Sequence, residues 1–231
     1  DLHSRLCLVH GFLEFLRRHG VSEGTAETLT NLPAVFLDYG PDCPVDRVLA
    51  DGDGLSIDGR SVTAERVEGH APGELLFIYE ADSRSRADPA SRAVVGDHVL
   101  ADVTPNPWLQ PPPEPDADRP RTVIRFNESL ERLADRDFDR LLPGHGDRIE
   151  NPTERIRAIL DAHERRTAEV RDLVDGPTSA IEVMEGLFED LAATEYFGGM
   201  SEAIGHLDVL EERGSVVSEE RGGMIIYEPA E

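Results

Sequence analysis

The sequence contains no lysine, so all 23 of its basic side chains are arginines. Against them stand 47 aspartate and glutamate residues, which give a formal net charge of -24 at pH 7. The acidic excess is spread along the whole chain, and it disfavours binding to nucleic acid or to anionic membranes because like charges repel. Such a surface is typical of a protein from a salt-loaded cytoplasm, so we predict a halophilic source; an acidic protein from a GC-rich genome is the alternative.

Cysteine is scarce, because only Cys7 and Cys43 occur and they form no CxxC pair. This excludes a disulfide framework and a thiolate zinc knuckle, and two free thiols fit a reducing compartment, so we predict a cytoplasmic protein. No apolar run approaches the roughly 18 residues that a membrane helix needs, so we predict no membrane span. The sequence begins with Asp1 and shows no signal peptide, and we expect its natural start to lie upstream.

Hydrophobic periodicity and turn residues divide the chain into helices and short strands. Helical patterns occur at 2–19, 121–135 and 152–174, and residues 23–40 predict a second, weaker helix and a loop. Short apolar segments between turn residues predict strands: 46–49, 55–57, 61–67, 75–79, 93–95 and 140–142. Residues 104–120 hold seven of the sixteen prolines, so we predict a long shaped loop there, since proline disfavours helices and central strands.

The Gly176-Pro177 pair marks a domain boundary. Beyond it we predict helices at 179–191 and 201–213, then strands at 216–217 and 224–227. Two helices followed by a two-stranded wing are typical of a winged-helix domain, so we predict two domains, 1–175 and 176–231. The second contains thirteen acidic residues and two arginines, so we expect it to serve packing or dimerisation and not DNA binding.

Three polar side chains share one design, in which each follows a short apolar strand and lies in a tight turn. They are His70 in Gly69-His70-Ala71-Pro72-Gly73, Asp97 in Gly96-Asp97-His98, and His145 in Pro143-Gly144-His145-Gly146. Imidazole and carboxylate are the zinc ligands available to a protein without a thiolate site. The flanking glycines allow a sharp turn and a close approach to a metal. Each motif alone is weak, but together they predict a metal site.

In order and spacing, these motifs resemble the downstream half of the metallo-β-lactamase superfamily, which has a GHxPG turn, a GD strand end and a PGHG turn. The long helix after His145 and the C-terminal segment also resemble the lactamase-beta-like branch, which includes hydrolases near glyoxalase II and an endoribonuclease. Residues 97–107 resemble the GDHLL…TPN variant of that branch. The resemblance covers essentially the whole chain and implies an α+β fold: an αββα sandwich followed by a small winged-helix domain.

The resemblance also implies a role for each motif residue. His70 resembles a ligand of one metal, His145 a ligand of a second, and Asp97 the carboxylate that bridges both. Two zinc ions are the implied cofactors, with iron or manganese as alternatives. Such ions acidify a bound water and polarise the scissile group, so the implied activity is hydrolysis of an ester or thioester by a metal-activated hydroxide.

The HxHxDH motif of the superfamily, which should lie upstream of the GHxPG turn, does not occur in this sequence. Residues 15–21 resemble the segment that follows that motif. We therefore expect the sandwich to be incomplete at its N-terminus here, with the motif and its strands in a preceding segment. The chain alone should then bind metal weakly and should not turn over substrate.

Three weaker candidates could line a substrate mouth: His98, Asn106 and Trp108. His98 could equally point away from Asp97, because neighbouring strand residues face opposite sides, and Trp108 could equally be a packing residue. Two other functions stay open, namely an endoribonuclease on the same fold and a non-catalytic winged-helix interaction protein. As partners we expect a small-molecule ester or thioester, neither nucleic acid nor membrane, and a homodimer as one open arrangement.

Overall fold

The computed structural model describes residues 11–37, 44–81, 90–110, 112, 117–192 and 195–230. The chain divides into two compact units. Val45–Pro107 and Ile124–Glu164 form the first, here called the sheet unit; the second, here called the helical unit, takes Asp1–Pro44, Trp108–Val123 and Arg165–Glu231. Within the described residues, no helix has both the length and the apolar character needed to cross a membrane.

The sheet unit is built on a five-stranded sheet with the strand order β1-β2-β3-β4-β5. The strands are β1 (Gly54–Ile57), β2 (Arg60–Arg66), β3 (Leu75–Ala81), β4 (Ala90–Gly96) and β5 (Phe138–Pro143). The first four strands are antiparallel, whereas β4 and β5 are parallel. A parallel pair needs a crossover, and here the crossover contains helix α3 (Thr122–Ala134). Helix α4 (Pro152–Leu173) follows β5.

The two faces of this sheet differ in burial. Ile78, Ala93 and Leu141 lie in register on neighbouring strands and are buried in one core with apolar residues of α3 and α4. The alternate residues Phe77, Val94 and Leu142 also lie in register and therefore point to the other face. That face is only partly covered, since the Val94 side chain is 40% exposed.

In the described part of the helical unit there are five helical segments and a three-stranded antiparallel sheet with the order β6-β8-β7. Its elements are α1 (11–18), α2 (Glu23–Leu37), the second half of α4, β6 (Thr178–Ser179), α5 (Ala180–Leu187), α6 (Tyr196–Glu212), β7 (Val216–Arg221) and β8 (Met224–Pro229). Ser179 and Glu182 form a reciprocal capping box that starts α5. The buried faces of these helices enclose a core of their own.

Most predicted elements are confirmed within the described residues, and one predicted strand is wrong. Residues 46–49 form no strand, because the chain there lies exposed and then makes a turn whose Gly52 and Asp53 backbone groups bond to Ala64. Residues 2–10 of the first predicted helix, and residues 38–40 of the predicted helix and loop at 23–40, lie outside the described residues. Residues 104–110, 112 and 117–120 are neither helix nor strand, as the prolines predict.

The two units do not follow the predicted division at residue 175. Trp108–Val123, which includes most of the proline-rich segment, belongs to the helical unit, where the Arg119 guanidinium donates to both carboxylate oxygens of Asp208 on α6 at 2.8 and 2.6 Å. Burial raises the pKa of Asp208, and the bonds from Arg119 oppose that shift. Leu109 N also donates to the Ser201 hydroxyl at 3.1 Å. Whether 176–231 folds as a domain by itself stays a prediction.

Unfolding of the helical unit should become easier in acid because of His19. Its ring is buried, Nδ1 donates to the Phe15 carbonyl oxygen at 2.7 Å, and burial lowers its pKa to about 4. An unfolded histidine titrates near 6.5, so between these values only the unfolded chain takes up the proton. The contribution of His19 to the free energy of unfolding is therefore fully present above about pH 6.5. It is lost as the pH falls towards 4, by up to about 3 kcal/mol.

Urea unfolding at pH 7.5 and at pH 4.5 measures this loss. In His19→Gln we expect the difference between the two pH values to shrink by about 2 kcal/mol, because the titrating group is gone. An undiminished difference in the variant would assign the acid sensitivity to other groups.

Candidate metal centre

The turn that carries His70 connects β2 to β3 and is closed at its base. Val67 N donates to the Glu74 carbonyl oxygen at 3.1 Å. Gly69 has φ of +134°, and a Cβ there would lie 2.3 Å from the Phe126 Cβ. Glycine is therefore required at 69, both for the backbone angle and for the close approach to α3. This packing fixes where His70 leaves the sheet.

The ring of His70 is oriented by a backbone carbonyl. Its Nδ1 lies 2.9 Å from the Asn106 carbonyl oxygen, which can only accept a hydrogen bond. Nδ1 therefore carries the hydrogen, and Nε2 is the nitrogen with a free lone pair. Metal-binding histidines are commonly oriented in this way by a partner of the second nitrogen.

Asp97 and His145 follow the parallel strands β4 and β5, whose carboxyl ends meet at one edge of the sheet. The two turns are joined directly, because Gly144 N donates to the Gly96 carbonyl oxygen at 2.7 Å. A Cβ at Gly144 would lie 2.6 Å from the Asp97 Oδ1. The glycine of the PGHG turn thus provides the space that the carboxylate occupies.

The structure brings the three predicted ligands together. His70 Nε2 lies 3.9 Å from Asp97 Oδ2, and His145 Nε2 lies 3.4 Å from the same oxygen. Two ligands of one tetrahedral zinc ion stand about 3.4 Å apart. The His70 side chain is 18% exposed and the His145 side chain 78%, so the first ring is largely enclosed and the second lies at the surface.

The three side chains are chemically suitable ligands for a zinc-type ion, but they are too few to complete its coordination. Imidazole and carboxylate are zinc ligands, and both imidazoles present Nε2 to the same carboxylate. Across the described ranges, however, no group of three or more His, Cys, Asp or Glu side chains is arranged to hold an ion by itself. A complete centre at this edge therefore needs further ligands.

The three weaker candidates for a substrate mouth, His98, Asn106 and Trp108, lie in different surroundings. His98 is fully buried and its Nδ1 lies 3.0 Å from Glu74 Oε2, a position that does not fit an open substrate mouth. Asn106 acts on His70 through its backbone carbonyl. Trp108 belongs to the helical unit, where its 36% exposed ring stacks on Phe197 at a centroid distance of 5.3 Å.

Sequence reasoning missed Glu74 and Phe126. Glu74 lies between the GHAPG turn and the apolar strand β3. A glutamate in such a place is usually solvated, and no sequence pattern indicates that this one is buried. Phe126 is an ordinary apolar position of an amphipathic helix. One signal was present for Phe126: a glycine before a motif histidine suggests a close approach, although the partner cannot be named from it.

The chain is similar in sequence to a curated protein and in structure to solved proteins. No family model matches the sequence. The chain is 31% identical over 177 residues to "Probable metallo-hydrolase YqjP" of Bacillus subtilis (strain 168), an alignment that covers 76% of this chain and 53% of that protein.

Two solved structures are also similar. A beta-lactamase domain protein from Burkholderia ambifaria superposes with a TM-score of 0.76 at 28% identity, over 93% of this chain and 60% of that one. A metallo-beta-lactamase family protein from Thermus thermophilus superposes with a TM-score of 0.66 at 25% identity, over 89% of this chain and 66% of that one.

The chain thus spans about half the length of the curated relative that it matches, at 53%. The three related proteins bear names that refer to metallo-hydrolases or beta-lactamases. The mixed α+β fold of this chain is therefore similar to that of the beta-lactamase domain protein and the metallo-beta-lactamase family protein, and its sequence is similar to that of the metallo-hydrolase.

Proposed function

We propose that the protein containing this chain is a metal-dependent hydrolase whose centre includes His70, Asp97 and His145. The observation that carries this proposal is the convergence of two imidazole Nε2 atoms on one Asp97 oxygen, at 3.9 and 3.4 Å. Three separate turns supply these side chains, and the bond from Gly144 N to Gly96 O holds two of the turns together. Such rigid support is what a metal site requires of its ligands.

The remaining ligands come, in this proposal, from an HxHxDH segment that precedes the chain. Two observations support it: the chain spans 53% of its curated relative, and the face of the sheet that carries Phe77, Val94 and Leu142 is only partly covered. The second sheet of an αββα sandwich would cover that apolar row. Burial of such side chains contributes about 1.5–3 kcal/mol each, so the additional segment would also stabilise the fold.

The chain's own residues then have distinct roles. Bound zinc, or iron or manganese in its place, supplies Lewis acidity and a more acidic water. Asp97 supplies the negative charge that holds cations at this edge, and Gly144 leaves its carboxylate room. The Asn106 carbonyl keeps His70 in the tautomer that binds through Nε2, and the exposed His145 lies where a substrate can approach.

The substrate that we propose is a small ester or thioester. Arg66, Arg92 and Arg140 of the sheet unit are each paired with a carboxylate, at 3.5, 3.1 and 2.7 Å, so these side chains offer no basic groove for RNA phosphates. The formal charge of -24 acts in the same direction. This favours the small-molecule hydrolase over the endoribonuclease.

We also infer that residues 176–231 are a winged-helix domain that serves packing or dimerisation. The succession β6, α5, α6, β7, β8 with the sheet order β6-β8-β7 supports this inference. The β7–β8 hairpin is acidic along its length, and Arg221 donates to both Glu219 and Glu228. Such a wing disfavours contact with DNA phosphates.

Removal of the metal tests the proposed function. The full-length gene product is stripped with a chelator, assayed against a panel of esters and thioesters, and reloaded with zinc, iron or manganese. We expect activity on at least one panel member to fall to background on stripping and to return on reloading. Activity that survives stripping, with metal content verified as zero, would contradict a metal-dependent hydrolase.

A further inference from the structure

We propose that Glu74 and His98 are positioning residues, which hold Asp97 at a fixed place relative to His70. The proposal rests on the proposed metal centre and deepens it. Neither side chain is directed at a metal or substrate in this account; both act through the turns that carry the ligands. The key juxtaposition is Glu74 Oε2 at 3.0 Å from His98 Nδ1, a contact between two different ligand turns.

Glu74 belongs to the turn that carries His70. Its carbonyl oxygen accepts from Val67 N at 3.1 Å, and this bond closes the turn at its base. The same residue then sends its side chain towards the neighbouring turn. Its Oε1 would lie 3.5 Å from a Cβ built on Gly96, so the carboxylate lies directly against the residue that precedes Asp97.

His98 belongs to the turn that carries Asp97. Its backbone N donates to the Val95 carbonyl oxygen at 3.1 Å, which closes that turn. Its ring is fully buried, and the Glu74 side chain is only 10% exposed. Since a carboxylate only accepts, Nδ1 carries the hydrogen of this bond. The backbone of Asp97 is therefore flanked by a buried, hydrogen-bonded residue, which opposes a shift of the turn.

Phe126 completes the support behind both turns. Its fully buried ring lies 4.7 Å from the His98 ring, and its Cα and Cβ lie against Gly69. One residue of α3 therefore packs against both the turn that carries His70 and the turn that carries Asp97. Glu74 adds the lateral bond between them, and a bond to a charged group is the stronger kind.

A buried pair of this kind could serve folding alone, so the test needs a control pair of the same type. Asn127 and His163 provide it, because Asn127 Oδ1 lies 2.6 Å from His163 Nδ1 and the His163 ring lies 5.3 Å from the same Phe126 ring. This pair joins α3 to α4, and neither residue belongs to a ligand turn. Asn127→Ala should therefore lower stability without disturbing the distance between His70 and Asp97.

The experiment compares wild type, Glu74→Ala, Glu74→Asp, Glu74→Gln and Asn127→Ala in the full-length gene product. Metal-free samples are titrated with Zn²⁺ and with Co²⁺, whose visible spectrum reports the ligand geometry, and urea unfolding is measured in parallel. We expect Glu74→Ala to weaken metal binding about 10–100-fold, the size usual for loss of a supporting partner of a ligand. Glu74→Gln keeps an acceptor of the same length and should restore affinity to within about 3-fold.

Glu74→Asp keeps the charge but withdraws the acceptor, so its affinity should fall nearly as far as that of Glu74→Ala, with an altered Co²⁺ spectrum. This second variant decides the matter if Glu74→Ala does not fold. Wild-type affinity in Glu74→Asp and Glu74→Ala overturns the positioning role while leaving the metal centre intact. If Asn127→Ala loses as much metal affinity as Glu74→Ala, the positioning role is overturned as well. A wild type that binds neither ion overturns the proposed function itself.

Discussion

Replacement of Asp97 by alanine should abolish hydrolysis in the full-length gene product. Asp97 Oδ2 is the atom on which both His70 Nε2 and His145 Nε2 converge, at 3.9 and 3.4 Å. Without the carboxylate, the two imidazoles lose the negative charge between them, and cations are held less tightly. We expect kcat/KM to fall more than about 1,000-fold, which corresponds to about 4 kcal/mol of transition-state stabilisation.

The matched control for Asp97→Ala is Asp139→Ala. Asp139 is an exposed carboxylate of β5 in the same unit, and it pairs with Arg92 at 3.1 Å away from the ligand turns. An exposed pair of this kind contributes about 0–1 kcal/mol, so both activity and stability should stay close to wild type. Activity within about 10-fold of wild type in Asp97→Ala would contradict the assigned centre.

Replacement of Gly69 by alanine should be among the most destabilising single changes in the sheet unit. The new Cβ would lie 2.3 Å from Phe126 Cβ and 2.6 Å from Phe126 Cα, so backbone atoms of α3 would have to move. The φ of +134° adds strain, because residues with a Cβ rarely adopt it. Overpacking and strain together should cost about 4 kcal/mol of the free energy of unfolding.

Gly73→Ala separates these two effects within the same turn. Gly73 also has a positive φ, of +71°, but nothing lies within 4 Å of a Cβ built on it. Only the backbone cost remains, about 1–2 kcal/mol. Chemical denaturation gives the free energy of unfolding of both variants. Equal destabilisation by Gly69→Ala and Gly73→Ala would show that the contact with Phe126 does not contribute to the cost.

The sequence was sufficient to predict what depends on local patterning. Strand ends with flanking glycines identified His70, Asp97 and His145, and the structure brings these three side chains to one edge of the sheet. The helix and strand segments followed from apolar spacing, except 46–49, where a β-type composition has no strand partner and lies exposed. Composition cannot supply a partner strand.

What the sequence could not reveal depends on contacts between distant segments. The bond from Arg119 to Asp208 spans 89 positions, and it lies within the helical unit, to which Trp108–Val123 belongs. The residue type of Asn106 suggests a role for its side chain, yet Asn106 contacts His70 through a backbone carbonyl that every residue possesses. The burial of Glu74 beside His98 depends on the register of two turns, and no periodicity encodes that.

The most direct test of the central claim is the location of the metal itself. Crystals of the full-length gene product with zinc, measured at the zinc absorption edge, give anomalous peaks at the metal positions. We expect a peak within bonding distance, about 2.0–2.2 Å, of His70 Nε2, His145 Nε2 or an Asp97 oxygen, with Asp97 facing every ion bound at this edge. A fully zinc-loaded crystal whose peaks all lie away from these three side chains would contradict the account.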